Sequence, residues 1–431
     1  MSKRTAVEIA VLSIRSEKPF LDAIVILSFP NLGPPTRPII SRIPCAVKRT
    51  RLLCIFGTRP EAIKMAPVVR ELRKHSDRIV TRIWVTAQHR QMLDQVLDLF
   101  GIQPDLDLNI MQDGQTPTQV AALVLQRLEP HLARERPDWI LVQGDTTTVM
   151  ATAIAAHHLQ IKIGHVEAGL RTHDKLNPFP EEMNRVVADA LSDLHFAPTQ
   201  RARENLLREG ISDATIRVTG NTVIDALQWI VQQPPSPEAR ALLARLGIEL
   251  RDYTTTRPSD LRLLLVTAHR RESFGEPLRN ICAALREIAT CRPDVRIVYP
   301  VHLNPNVQQP VNELLRDLPN VTLLPPVDYL TLAYLLKHCY LVLTDSGGLQ
   351  EEAPSLGKPV LVLRCVTERP EAVEAGTAII VGTGKEAIVR ETNRLLDDAD
   401  AYAAMARAVN PFGDGHAAER IVEALLETSD L

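Results

Sequence analysis

Residues 340–353 read YLVLTDSGGLQEEA. An apolar, β-branched run ends at Thr344-Asp345, and Ser346-Gly347-Gly348 then opens a stretch with helical spacing. A buried strand that turns directly into a helix is the repeating step of a parallel sheet covered on both faces. The two glycines have two explanations. Unpaired N–H groups at a helix start, with no side chains in the way, make a cradle for an anion. A tight strand-to-helix turn that needs glycine geometry would place them there equally well. Glu351 or Glu352, one turn in, would accept both hydroxyls of a ribose, or simply be a favourable charge near a helix start.

The same step recurs on either side of this stretch. Strand candidates are 51–56, 79–85, 139–143, 161–166, 194–197 and 215–219, then 261–267, 295–301, 321–325, 340–344, 359–363 and 377–381. The pattern breaks at 232–260, which is rich in proline and polar residues. The fold class expected is α/β, with two doubly wound Rossmann-like domains and a ligand cleft between them at the carboxyl ends of the strands. The expected division is an extension over 1–49, a first domain over 50–220, a second over 221–405, and a C-terminal helix, 406–431, packing back on the first domain. Residues 1–49 lack the uninterrupted apolar core and cleavage site of a secretory signal. They read as a poorly ordered extension or as sequence upstream of the natural start, with Val47 a candidate alternative start.

Composition excludes several classes. At 45% hydrophobic and 23% charged residues, with a net charge of -3, the 431-residue chain has no basic footprint for nucleic acid or a membrane surface. No apolar run approaches the roughly 18 residues of a membrane span. Six scattered cysteines without a C-x-x-C pair indicate neither a disulfide framework nor zinc, and a reducing cytoplasm is the default.

Chemistry-bearing residues gather at strand ends. Asp145 in VQGDTTTV ends a strand and reads as a cleft acid or as a helix N-cap. Glu167 in GHVEAGLRT stands at the end of the next strand. NPFPEEMNR puts Pro180 at the first helical position with Glu181 and Glu182 in the first turn, where pairing with the macrodipole would also explain them. Cations share these rims: Arg59 and Lys64 in FGTRPEAIK, then His269, Arg270 and Arg271 in VTAHRRESFG, with His302 in YPVHLNPN. GTGKEA at 382–387 fits a dinucleotide fingerprint, but no strand follows it. DLD at 105–107 reads as a loop. Neither NAD nor a metal is assigned.

Together FGTRPEAIKMAP, GDTTTVMAT, GHVEAGLRT, PFPEEMNR, TGNTVIDAL, HRRESFG, VHLNPNV and TDSGGLQEEAPSLGKPVLVLR…TERPEAV resemble the non-hydrolysing UDP-N-acetylglucosamine 2-epimerases, from about residue 51 onward. The resemblance implies a GT-B architecture and a cytoplasmic homodimer that interconverts UDP-GlcNAc and UDP-ManNAc without a cofactor for cell-surface polysaccharides. It makes Asp145, Glu167 and Glu181 the carboxylates at the sugar and sets His269 at the diphosphate. Arg59 and Lys64 line the cleft, Ser346, Gly347 and Gly348 hold phosphate, Glu352 the ribose, and Arg369 the nucleotide sugar. It also implies an allosteric UDP-GlcNAc site at Gln88, His89, Glu181, Arg270 and His302. This chain departs from the pattern at Val327, Leu332 and Cys365-Val366, the last beside Arg369. A hydrolysing epimerase that releases ManNAc and UDP is the alternative enzyme. A non-catalytic nucleotide-sugar sensor is the alternative from another class.

Overall fold

The computed structural model describes residues 49–429, apart from 88–89, 113, 249, 252–254 and 257–260, together with 9–11 and 25–27. Two compact units result, residues 1–49 and 50–431. In the first, β1 (Ile9–Val11) pairs antiparallel with β2 (Val25–Leu27). The rest of the extension lies outside the described residues.

The larger unit contains two parallel sheets. Its first part alternates β3 (Thr50–Phe56), β4 (Ile79–Val85), β5 (Leu106–Asp107), β6 (Trp139–Gln143), β7 (Lys162–Val166), β8 (Leu194–Ala197) and β9 (Ile216–Val218) with helices. These helices are α1 (Arg59–Lys74), α2 (Arg90–Phe100), α3 (Pro117–Glu135), α4 (Thr147–His158), α5 (Glu181–Leu191) and α6 (Gln200–Arg208). The strands order as β5-β4-β3-β6-β7-β8-β9, all parallel. Next come α7 (Thr222–Ile230), α8 (Pro237–Arg245) and the short antiparallel pair β10 (Leu250–Arg251) and β11 (Thr255–Thr256).

The second sheet contains β12 (Arg262–Thr267), β13 (Val295–Pro300), β14 (Val321–Leu324), β15 (Leu341–Thr344), β16 (Val360–Val362) and β17 (Ala378–Ile380). Their order is β14-β13-β12-β15-β16-β17, again parallel. The helices here are α9 (Glu276–Cys291), α10 (Pro305–Leu315), α11 (Tyr329–His338), α12 (Gly347–Glu352), α13 (Pro370–Glu374), α14 (Lys385–Asp397) and α15 (Ala399–Ala406). A last helix, α16 (Ala417–Ser429), returns to pack on α1 and α7.

Two calls change. Asp105 and Asp107 do not sit in a plain loop: Leu106–Asp107 is the edge strand that makes the first sheet seven-stranded, registering Leu106 with Trp84. The 232–260 break is not a bare linker either. Ser236 caps α8, whose Leu242 and Leu243 are buried in the core that also holds α11.

Buried Val, Ile and Leu on both faces of every central strand explain the continuous apolar runs. Each sheet reverses direction of growth once, between β3 and β6 and between β12 and β15. At these switch points the loops after the strands diverge and leave a crevice for ligand.

Candidate active site

The loops after the switch-point strands and after their neighbours β7, β13 and β16 carry the residues singled out from sequence. In the first lobe, β3 runs into Gly57-Thr58 and α1. Glu61 is buried and its carboxylate accepts from the Gly57 N–H at 3.0 Å, the Thr58 N–H at 2.6 Å and the Thr146 hydroxyl at 2.7 Å. It therefore stitches the loop after β3 to the loop after β6. Gly57 has to be glycine, because a Cβ there would lie 1.9 Å from Thr86 Oγ1.

Asp145 is not the N-cap of α4. Thr146 is, accepting from the Val149 N–H. The Asp145 carboxylate instead accepts from Arg185 Nη2 at 2.5 Å, and its carbonyl accepts from Asn184 Nδ2 at 2.9 Å, so α5 aims it. Glu182 is buried, 3.4 Å from Arg185 Nη1, and accepts from the Thr172 and His173 N–H groups. Glu181, beside it on the first turn, is partly exposed, and among the described residues its side chain has no hydrogen bond or ion pair. Pro180 is the N-cap of α5 rather than its first helical residue.

Glu167 follows β7 with a left-handed φ of 69° and is 8% exposed. Lys64 Nζ donates to both its oxygens at 2.6 Å, Asn221 Nδ2 donates at 3.0 Å, and Gln143 donates as well. Burial pushes its pKa up, but Lys64, Arg369 and Asn221 outweigh that and hold it below the ordinary carboxylate value. Burial lowers the Lys64 pKa, yet Glu167 and Glu351 more than reverse it. Lys64 thus spends its charge on Glu167 rather than standing free in the cleft.

In the second lobe Asp345, fully buried, accepts from the His269 N–H at 2.6 Å and the Arg270 N–H at 2.7 Å. Among the described residues its other oxygen has no hydrogen-bond partner, and it lies 3.7 Å from His269 Nδ1. The His269 ring stacks on His302, centroids 5.3 Å apart. Burial, with His302 and Arg270 nearby, keeps the His269 pKa below its ordinary value against the pull of Asp345. Ser346 is the N-cap of α12.

Gly347 and Gly348 do not have left-handed φ, and Cβ atoms on them would meet neighbours only at 3.8–3.9 Å. Turn geometry therefore does not explain them. Those nearest neighbours include Arg369 for Gly347 and Glu352 for Gly348, so the bare backbone faces the residues expected to hold a nucleotide.

The two acids of α12 divide their work. Glu352 accepts from the Tyr329 hydroxyl at 2.8 Å, and burial raises its pKa to about 7 although Tyr329, Lys64 and Arg59 pull it down. Glu351 takes the Arg369 Nε–H and the second proton of Asn221 Nδ2, at 2.8 Å. Burial pushes its pKa up despite Arg369. The Cys365-Val366 departure leaves this loop intact. Both are exposed, while Thr367 accepts from the Arg369 N–H at 3.0 Å and donates to Gln350 at 2.5 Å.

The structure thus joins Lys64, Glu167, Asn221, Glu351 and Arg369 through continuous contacts, with Gly347 beside Arg369 and Asp145 at the neighbouring strand end. Gln88 and His89 lie outside the described residues. Arg270 and His302 flank His269. Sequence reasoning missed Glu61, Arg185, Asn221, Asp345 and the Arg369 partnership of Glu351. Asn221 had a visible signal, an asparagine opening a helix, but that explains only its oxygen.

Two doubly wound lobes, each bringing paired acids and cations to its strand ends and one of them a glycine turn, define an α/β protein of GT-B type. The model of the UDP-N-acetylglucosamine 2-epimerase family matches residues 70–426, and the chain belongs to that family. It is 55% identical over 375 residues to the UDP-N-acetylglucosamine 2-epimerase of Escherichia coli K12, covering 87% of this chain and 98% of that one. The UDP-GlcNAc 2-epimerase of Neisseria meningitidis, solved bound to UDP-GlcNAc, superposes with a TM-score of 0.78 at 45% identity, covering 88% of this chain and all of that one. The enzyme from Methanocaldococcus jannaschii, solved with UDP-GlcNAc and UDP, gives 0.71 at 36% identity over 88% of this chain and all of that one.

Proposed function

We propose that the protein inverts C2 of UDP-N-acetylglucosamine to give UDP-N-acetylmannosamine. The single observation that carries this is Glu167, an ionised carboxylate at the end of β7, joined through Asn221 and Glu351 to Arg369 beneath the Ser346–Gly348 turn. This supports a reading in which the base for a sugar proton and the seat for the neighbouring diphosphate belong to one network.

The C2 proton is too weakly acidic for direct removal. Departure of UDP from C1 acidifies it: the C1–O pair leaves with UDP, the C2–H pair forms the C1=C2 bond of 2-acetamidoglucal, and the proton goes to a carboxylate. Re-addition of UDP with protonation of C2 on the opposite face completes the inversion. Asp145, Glu167 and Glu181 supply base and acid, each such group contributing about 10²–10⁴-fold. His269 meets the charge developing on the diphosphate, where one preorganised donor contributes about 3–4 kcal/mol. Ser346, Gly347 and Gly348 receive the phosphates, Glu352 the ribose and Arg369 the nucleotide sugar, with Arg59 and Lys64 on the opposite lobe. Gln88, His89, Glu181, Arg270 and His302 form a second, activating UDP-GlcNAc site, and the working form is a cytoplasmic homodimer feeding cell-surface polysaccharide synthesis. The expected domain division stands as part of this proposal.

Incubation with UDP-GlcNAc in D2O, followed by proton NMR, tests it. The expected outcome is deuterium at C2 of a UDP-linked product. Free ManNAc with stoichiometric UDP would instead identify a hydrolysing enzyme, and absence of exchange a binder or an enzyme for another substrate.

A further inference from the structure

Asn221 stands where the chain leaves the first sheet, between β9 and α7, and is 2% exposed. Its carboxamide is fully committed. Oδ1 caps α7 by accepting from the Val223 N–H at 3.1 Å, which fixes the flip of the group and turns Nδ2 toward the cleft. That one nitrogen donates to Glu167 at 3.0 Å and to Glu351 at 2.8 Å, carboxylates belonging to different lobes. Its backbone is fixed too, the N–H donating to the Phe412 carbonyl at 2.7 Å.

Two buried carboxylates so close to a shared donor repel each other, and they persist together only with matched compensation. Lys64 from α1 supplies it on the Glu167 side and Arg369, before α13, on the Glu351 side. The result is a line of contacts, Lys64–Glu167–Asn221–Glu351–Arg369, with a cation at each end, two carboxylates inside them and the neutral amide at the centre.

We propose that Asn221 is a positioning residue that holds Glu167 at the reacting carbon and ties its placement to the Glu351–Arg369 pair at the nucleotide. This rests on the epimerase function proposed above. A diphosphate arriving at the glycine turn competes with Glu351 for Arg369. Glu351 then leans on its remaining donor, and the amide carries that change to Glu167. Nucleotide occupancy and the readiness of the carboxylate are coupled through one side chain that itself touches no substrate.

The discriminating variant is Asn221→Ser. Serine is as good an N-cap, so α7 keeps its start, but a hydroxyl can donate to only one carboxylate. Glu167 faces Lys64 from α1, Gln143 at the end of β6 and Asn221 at the start of α7, and feels Glu351 of α12 and Arg369 before α13. Losing the amide removes a donor from its charged form, so its pKa rises.

In the full-length chain, N221S is expected to lower kcat by about 10²-fold, the cost of a small misplacement at the chemistry. KM for UDP-GlcNAc should stay within a few-fold, and the acidic limb of the kcat/KM profile should move to higher pH. Asn221→Asp, isosteric and also an N-cap, puts a third carboxylate in the donor's place and should lose at least as much in kcat. It serves equally well should N221S fold poorly. Unchanged kcat and an unshifted limb in either folded variant would overturn the proposal. Absence of C2 deuteration by the unaltered chain would overturn the underlying function instead, and the two failures are distinguishable.

Discussion

Glu352 is buried beside the Tyr329 hydroxyl, and burial raises its pKa to about 7. In the role proposed for it, Glu352 receives the ribose hydroxyls best as an ionised acceptor, so nucleotide binding should release a proton when the pH is below that value. Affinity for UDP-GlcNAc should therefore fall as pH drops from 8 to 6, by about tenfold per unit once well below the pKa. Glu352→Gln should bind more weakly at pH 8 and lose this dependence; calorimetric titration at both pH values would show it. The glycines make a second prediction at the same scale. Gly348→Ala has room and a helical backbone, so it should leave the melting temperature unchanged or slightly raised while nucleotide affinity falls. Gly57→Ala should do the reverse in kind, destabilising the fold through its clash with Thr86.

Strand-end acids and cations were legible because a parallel sheet sends its chemistry to the carboxyl ends of its strands, and the apolar runs mark those ends. Asp145, Glu167 and His269 could be named that way. What each of them holds could not. Glu167 and Asn221 are 54 residues apart, and Asn221 and Glu351 are 130 apart; only folding brings them together. Nor could sequence alone choose between an N-cap and an Arg185 partner for Asp145.

Among the elements, α7 and α16 are joined by a buried carboxylate. Asp225 on α7 accepts from the Ala418 N–H at 2.8 Å, satisfying an orphan donor at the start of α16. Burial raises its pKa to about 6, against the pull of the Ala418 and Ala417 N–H groups. The folded pKa thus exceeds the unfolded one, so the folded protein binds the extra proton and loses stability as pH rises from about 4 through 6. Above that the charged group costs on the order of 3 kcal/mol. Asp225→Asn keeps the acceptor without the charge. Its stability advantage over the unaltered chain in urea denaturation should grow with pH between 4 and 6 and then level off.

Elements long enough to alternate were read correctly from pattern, and those that were not were too short or too polar. β5 has two residues and no β-branched one, so no periodicity can reveal it. α8 lies within a proline-rich stretch, where Pro237 in fact starts the helix rather than breaking it.

At the scale of the molecule, neither sheet holds a complete site. In the proposed reading the first contributes the acids and Lys64 and the second the glycine turn, His269 and Arg369, from the loops after the switch-point strands and after their neighbours β7 and β16. The match to GT-B relatives follows from that arrangement as much as from sequence. Chain connectivity adds something further. The chain leaves the first sheet at Gly220 and comes back through 407–416 to lay α16 on α1. These two passages lie against each other: a Cβ on Gly220 would be 3.2 Å from the Gly413 Cα, and the Asn221 N–H donates to Phe412. Paired tethers side by side act as an axle. A widening of the cleft that kept these contacts would turn about that line, so groups beside it, Asn221 and the carboxylates it holds, would travel little, while the outer rims would sweep the longest arcs.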